Sequence, residues 1–191
     1  LANDCVGTGP RLQLLTEDPD INHIVETAFA DWAREIRLAE KLRTMRMAKA
    51  TDGEAFALLT GNPVLRSPVK IDAQLVEADR ITNPALRMAN DTAVDGIQFD
   101  RHGNPRQYLV LRQHPGQTSF PSTVDAFNLV PVGSMIHWFR PDRAGQHRGV
   151  PEITPALPLF AQLRRYTLAV IAAAETAADF AAVLFTDAPA N

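Results

Sequence analysis

Apolar residues follow three rhythms along this chain, and each predicts a different kind of element. Between Ile21 and Trp32 they return every three or four positions, at Ile21, Ile24, Val25, Ala28, Phe29 and Trp32. That spacing puts them on one stripe of an amphipathic helix. Asp18 and Asp20 offer N-caps, and Pro19 suits a first turn. A second helical pattern runs through Leu38, Leu42, Met45 and Ala48, with Glu40, Lys41, Arg43, Arg46 and Lys49 on its exposed side and Gly53 as its breaker. Ahead of both helices, Gly7, Gly9 and Pro10 punctuate an irregular start, and Arg11 to Leu15 alternate like a short strand.

From about residue 54 the rhythm shortens to two. Ala55 to Leu59 reads as a strand ended by Gly61-Asn62-Pro63. Val69, Ile71, Ala73 and Leu75 alternate with Lys70, Asp72 and Gln74, which predicts a half-buried strand. Ile97 to Phe99 and Tyr108 to Leu111 flank Arg101-His102-Gly103-Asn104-Pro105, the pattern of a β-hairpin. Residues 113–123 read as a polar loop, and Phe127–Val132 and Met135–Phe139 as further short strands.

The third rhythm follows a charged, glycine-containing loop at 140–151. A long helix is predicted from Thr154 or Pro155 to about Phe185, with Pro158 tolerated in its first turn. Leu159, Leu163, Tyr166, Val170, Ala173, Ala177, Phe180 and Leu184 step alternately by four and three, a heptad-like seam. Phe160, Leu168, Ile171, Ala178 and Val183 form a second stripe, and only Glu175 and Asp179 are charged between Tyr166 and Phe185. A helix apolar on most sides needs cover on most sides. Three arrangements supply or remove that cover: a central core helix, a helix partly covered by another subunit, or a face bared by truncation. The apolar run is too short and alanine-rich for a membrane span, which needs about 20 apolar residues. Strands gathered in the middle between flanking helices give an α+β class with mostly antiparallel strands, not a doubly wound parallel sheet.

Composition narrows the function classes. The chain has 191 residues, 46% hydrophobic and 21% charged, which excludes a disordered tail or a collagen-like repeat. Its length suits one domain or two small ones. A net charge of -3 argues against duplex-DNA binding through a broadly basic face. The single cysteine, Cys5, forms no internal disulfide and no zinc cluster, and reads as a small packing residue. The chain starts at Leu1, has no methionine before Met45 and shows no signal-peptide pattern, so it is expected to be a piece of a longer protein.

Candidate chemistry is sparse. No phosphate-binding Gly-x-x-x-x-Gly-Lys-Ser/Thr loop occurs, and Gly7-Thr8-Gly9 lacks the third glycine of a dinucleotide site. None of His23, His102, His114, His137 and His147 sits in a metal-ligand spacing, although His137 and His147 flank one loop. Asp52-Gly53-Glu54 places two carboxylates together and reads as a solvated helix-to-strand turn. The loop arginines Arg140, Arg143 and Arg148 suit local hydrogen bonds to carbonyls and carboxylates, or alternatively contacts to nucleic acid.

Several segments, in order, resemble the lambda-type phage portal proteins. The clearest is Met135-Ile-His-Trp-Phe-Arg-Pro-Asp-Arg-Ala-Gly-Gln-His-Arg-Gly-Val-Pro151, followed by an alanine-rich helix. Asn3 to Gly9 is similar to the family's Val-Gly-x-Gly segment, and Asp52-Gly-Glu-Ala-Phe56 to its Asp-Gly-Glu turn. Leu75 to Arg80 resembles its strand-end motif, and Gly96 to Pro105 its Gly-Ile-x-x-Asp-x-x-Gly-x-Pro hairpin.

The resemblance implies a non-enzymatic structural subunit with no metal or cofactor. It implies a dodecameric ring at a capsid vertex of the virion, assembled in the host cytoplasm. Terminase, capsid and head-to-tail connector proteins would dock on the ring, and duplex DNA would pass through without sequence specificity. No membrane is involved. Residues 1–151 would form a wing-like α+β body, and 152–186 a long helix leading toward the stem. The family-motif positions are Gly53, Glu54, His137, Arg148, Gly149 and Pro151. Subunit contacts are expected on the seam at Tyr166, Val170, Ala173, Ala177 and Phe180. Two rival readings remain beside this one. One is a small phage-encoded hydrolase or protease, which needs a nucleophile beside a histidine in a cleft. The other is a DNA-binding module working through the 140–148 arginine loop.

Overall fold

A computed structural model describes residues 1–83, 93–117 and 127–180. The order is α1 (Ala2–Val6), α2 (Pro19–Glu35), α3 (Leu38–Thr51), β1 (Glu54–Gly61), β2 (Ile71–Val76), β3 (Ala93–Val94), β4 (Ile97–Phe99), β5 (Pro105–Leu111), β6 (Phe127–Pro131), β7 (Met135–Phe139) and α4 (Leu157–Asp179). The fold is α+β, and every strand pairing is antiparallel. Contacts divide the chain into two units, Leu1–Glu152 and Ile153–Asn191.

In the first unit the strands form two sheets, ordered β2-β1-β7 and β3-β4-β5-β6. β1 is the centre of the smaller sheet, and its residues Glu54 to Ala57 are all buried. The alternation along β1 sorts side chains by size. Ala55 and Ala57 meet Met45 of α3, because small residues let a helix lie close to the sheet. Phe56 points the other way and joins Val76, Ile81, Ile97, Tyr108, Val110, Val130 and Met135 in the main core. This core spans both sheets. A short 3-10 turn, Ala78–Arg80, carries the chain from β2 to Ile81, which bridges to Val110 of β5.

Local chemistry explains the helix starts. The Asp18 carboxylate accepts from the backbone N–H groups of Asp20 (3.0 Å) and Ile21 (3.1 Å), with Pro19 in the first turn. Such a cap contributes about 1 kcal/mol. α2 and α3 are separated by Arg37, which takes a left-handed conformation at φ 58°. In the predicted β4–β5 hairpin, the Asp100 carboxylate accepts from His102 N (2.8 Å) and Asn104 N (2.9 Å), which closes the turn.

Several expectations are corrected. Arg11 to Leu15 is not a strand, since among the described residues no neighbour pairs with it; Leu14 N–H instead donates to the Glu26 carboxylate at 2.8 Å. Residues 2–6 before it form a helical turn, and Cys5 is exposed rather than packed. The α2 stripe is buried nowhere along its length, and Ile24 is 66% exposed. Cover is best at the C-terminal end, where Trp32 Nε1–H donates to the Ile71 carbonyl at 2.8 Å and Ile36 is buried. The supposed exposed side of α3 is largely engaged. Lys41 binds Asp72, and Arg46 and Lys49 both bind Glu152. β2 starts at Ile71, not Val69. It is an edge strand whose buried residue is Val76, while Ile71 stays exposed.

The second unit holds a 3-10 turn, Thr154–Ala156, and α4. Its 23 residues span roughly 35 Å. None of the helix residues is buried. Thr167 and Thr176 turn their hydroxyls back to the carbonyls of Leu163 and Ala172, both at 2.9 Å, so they add little polarity to the surface. The helix ends at Asp179, and Phe180 stands at its C-cap rather than inside it. Val183, Leu184 and Phe185 lie outside the described residues, as do 118–123 of the predicted loop. No described helix is long and apolar enough to cross a membrane.

Candidate functional site

The family-motif positions of the first unit converge on one buried carboxylate. Gly53 follows α3 and reaches φ 91°, a conformation that side chains avoid. The turn there aims the next residue, Glu54, inward rather than to solvent, and only 4% of it is exposed. The Asp52–Glu54 turn is therefore not a solvated one at Glu54. Phe56, two residues on, shares its face of the strand. In the β1–β7 register Phe56 lies opposite His137. The His137 ring consequently stacks between Phe56 (4.2 Å) and Phe139 (4.4 Å), with Nε2 at 2.9 Å from the Glu54 carboxylate.

Arg148 approaches from the 140–151 loop. Its guanidinium donates to Glu54 from Nε at 2.7 Å and pairs with it through a second nitrogen at 2.6 Å. The remaining donors reach the carbonyls of Ile81 (2.9 Å), Asp95 (2.6 Å) and Ala78 (3.2 Å). Arg148 also lies over the Phe56 ring at 5.5 Å. A single guanidinium thus ties together β1, the crossover between the sheets and the β3–β4 turn. Its fixed fork of donors suits that role better than an ammonium group. Gly149 N–H adds a fourth donor to Glu54 at 2.9 Å. A side chain at Gly149 would overlap the Gly53 backbone, and one at Gly53 would overlap Val150 and Pro151. The two glycines and Pro151 are therefore one close backbone contact.

The electrostatics follow from this geometry. Burial pushes the Glu54 carboxyl up, but the hydrogen bonds from His137, Arg148 and Gly149 outweigh it and hold the group below its ordinary range. Tyr108 lies beside the node with its hydroxyl 3.5 Å from His137 Nδ1. Burial first, and the Glu54 charge second, push its phenol above the usual value.

Chemically the node binds charge and leaves little free to react. Glu54 and His137 make an acid–imidazole pair, yet among the described residues no Ser or Cys hydrogen-bonds to His137. The nearby cleft of about 400 Å³ is lined by Glu54, Asp52, Glu77 and His114 but not by His137. Among the described residues no His/Cys/Asp/Glu group is arranged to hold a metal ion. His147 packs against Phe99 in a tilted arrangement, with ring centroids 4.2 Å apart, and has a different set of partners from His137. Of the loop arginines, Arg148 is engaged internally and Arg140 binds Asp142 at 2.7 Å.

Sequence reasoning placed Gly53, Glu54, His137, Arg148, Gly149 and Pro151, and the fold brings all six together. Tyr166, Val170, Ala173 and Ala177 lie on α4 in the second unit, and Phe180 follows that helix. Missed were Tyr108, Phe56 and Phe139 around the imidazole, and the carbonyls of Ala78, Ile81 and Asp95. Phe56 and Phe139 carried a usable signal, since each stands two residues beyond a motif residue on its own strand, Glu54 on β1 and His137 on β7, whereas Tyr108 lies on β5, away from every motif strand. The carbonyls carried none, because any residue supplies one.

The family model described as phage portal protein, lambda family, matches residues 1–191, and the chain belongs to that family. No curated protein matches the chain significantly.

Proposed function

We propose that this lambda-family portal chain forms part of a dodecameric ring at one vertex of a capsid. Duplex DNA would pass along the ring axis during packaging and ejection. Terminase, capsid and head-to-tail connector proteins would dock on the ring, and subunits would meet in the host cytoplasm before joining the virion. Residues 1–151 act as the wing-like body and 152–186 as the helix leading toward the stem. The family is structural, and the Glu54 node reads as an assembly feature rather than a catalytic one.

The observation that carries this reading is the family match over the whole chain. Two features support it. The motif residues ahead of α4 form an internal brace, which is what a load-bearing subunit needs. The seam of α4 at Tyr166, Val170, Ala173 and Ala177 has no cover within its own unit, where no residue of the helix is buried. Neighbouring subunits would supply that cover, because apolar side chains gain free energy by leaving water. The test is the assembly state of the intact portal protein by light scattering and negative-stain microscopy. Rings are expected, and a protein that stays monomeric at every concentration refutes the proposal.

A further inference from the structure

We propose that a cavity between the first turn of α3, the end of α2 and the 8–11 segment binds a phosphate group. Its volume is about 360 Å³, and Arg11, Arg34, Arg37 and Arg43 all line it. Four guanidiniums around one small cavity stand out in a chain whose net charge is -3. Two carboxylates offset them only weakly. Arg34 pairs with Asp31 and Arg37 with Glu40, and all four of these side chains are at least half exposed. Exposed pairs of this kind contribute little and exchange readily. Arg43 is held in place by the Gly7 carbonyl at 2.9 Å, which fixes one guanidinium at the cavity wall. Among the described residues Arg11 has no hydrogen bond or ion pair of its own.

The chemistry of the lining selects the ligand. Guanidinium forks match the oxygens of a phosphate and bind them in pairs. No aromatic side chain lines the cavity, so nothing offers a stacking surface to a nucleobase. Gly9 and Ala39 form part of the wall, where the absent Gly9 side chain lets the 8–11 segment pack against the first turn of α3 and brings its arginine to the cavity. The ligand is accordingly a phosphate group read by charge and shape. A DNA backbone and free phosphate both supply it. These arginines are not those of the 140–148 loop, and the inference does not depend on ring formation.

The experiment uses the full chain, inorganic phosphate by calorimetry and a short labelled DNA duplex by anisotropy at low salt. Three variants accompany the wild type. R11A removes the unpaired arginine. R11A/R37G removes two guanidiniums while glycine keeps the left-handed backbone of Arg37. R101A removes an arginine of the β4–β5 turn, away from the cavity, as a control. At least one probe should bind the wild type. R11A/R37G should lose about tenfold or more, and R101A should match the wild type. If the duplex binds, the slope of affinity against salt should fall by about two in the double variant. Phosphate bound without the duplex assigns the site to free phosphate, and both bound assigns it to the DNA backbone as well. The inference is overturned if neither probe binds, if R11A/R37G binds like the wild type, or if R101A loses as much as the double variant. Unchanged melting of R11A keeps the comparison valid should the double variant be unstable.

Discussion

Glu54 stays ionised where water barely reaches, because four donors meet its two oxygens. A buried charge that loses its partner costs far more than the pair contributes by existing. Arg148→Ala should therefore destabilise the first unit by about 3–5 kcal/mol, as read by chemical denaturation. Arg148→Lys should recover only part of this, since an ammonium group cannot reach four acceptors at once. The same carboxylate sets a pH dependence. Its folded value is lowered from the ordinary 4.5, so its contribution is fully present above that value and fades as pH falls through the lower folded one. The stability difference between wild type and Glu54→Gln should be constant near neutrality and shrink below about pH 4.5. A gap that widened on acidification would contradict this sign.

At the scale of elements, the join between α3 and β1 and the lead into α4 depend on the same glycine contact. Gly149 and Gly53 are pressed backbone to backbone, and neither has room for a methyl group. Gly149→Ala should lower the melting temperature clearly, whereas Ala at Gly61, where nothing stands within 4 Å, should change it little. Glu152, the last residue of the first unit, is held by Arg46 at 2.8 Å and Lys49 at 2.6 Å. Those two hydrogen bonds, Lys49 first and then Arg46, hold its carboxyl below the usual range. The sequence presented these basic residues as a solvated helix face. Their partner lies more than 100 positions away, and helical periodicity says nothing about such a neighbour.

At the scale of the molecule, the two units divide the work. The first has a core spanning two sheets. The second is a helix with no buried residue, and on the proposed function its seam is covered by neighbouring subunits. Val170→Glu should therefore abolish assembly of the intact portal protein, measured by light scattering, while leaving the melting of the first unit unchanged. Loss of both together would mean that the seam belongs to the fold of a single chain.

The sequence by itself determined the α+β class, the α2 and α3 helices, the β4–β5 hairpin and the long α4 helix, and it marked Gly53, Glu54, His137, Arg148, Gly149 and Pro151 as motif positions without showing that they meet. Those features rest on local spacing, on turn chemistry at Gly103 and Asp18, and on motifs that occur in order along the chain. Only tertiary structure decided that β6 and β7, three residues apart in sequence, belong to different sheets. It also decided that Glu54 faces inward, and that Arg148 turns its donors to that carboxylate and to three carbonyls of two other segments. Arg11 to Leu15 has the alternation of a strand and, among the described residues, no strand beside it. In each case the deciding term is a long-range partner. A strand edge, a buried charge or an arginine fork gains its free energy from groups that only folding brings near.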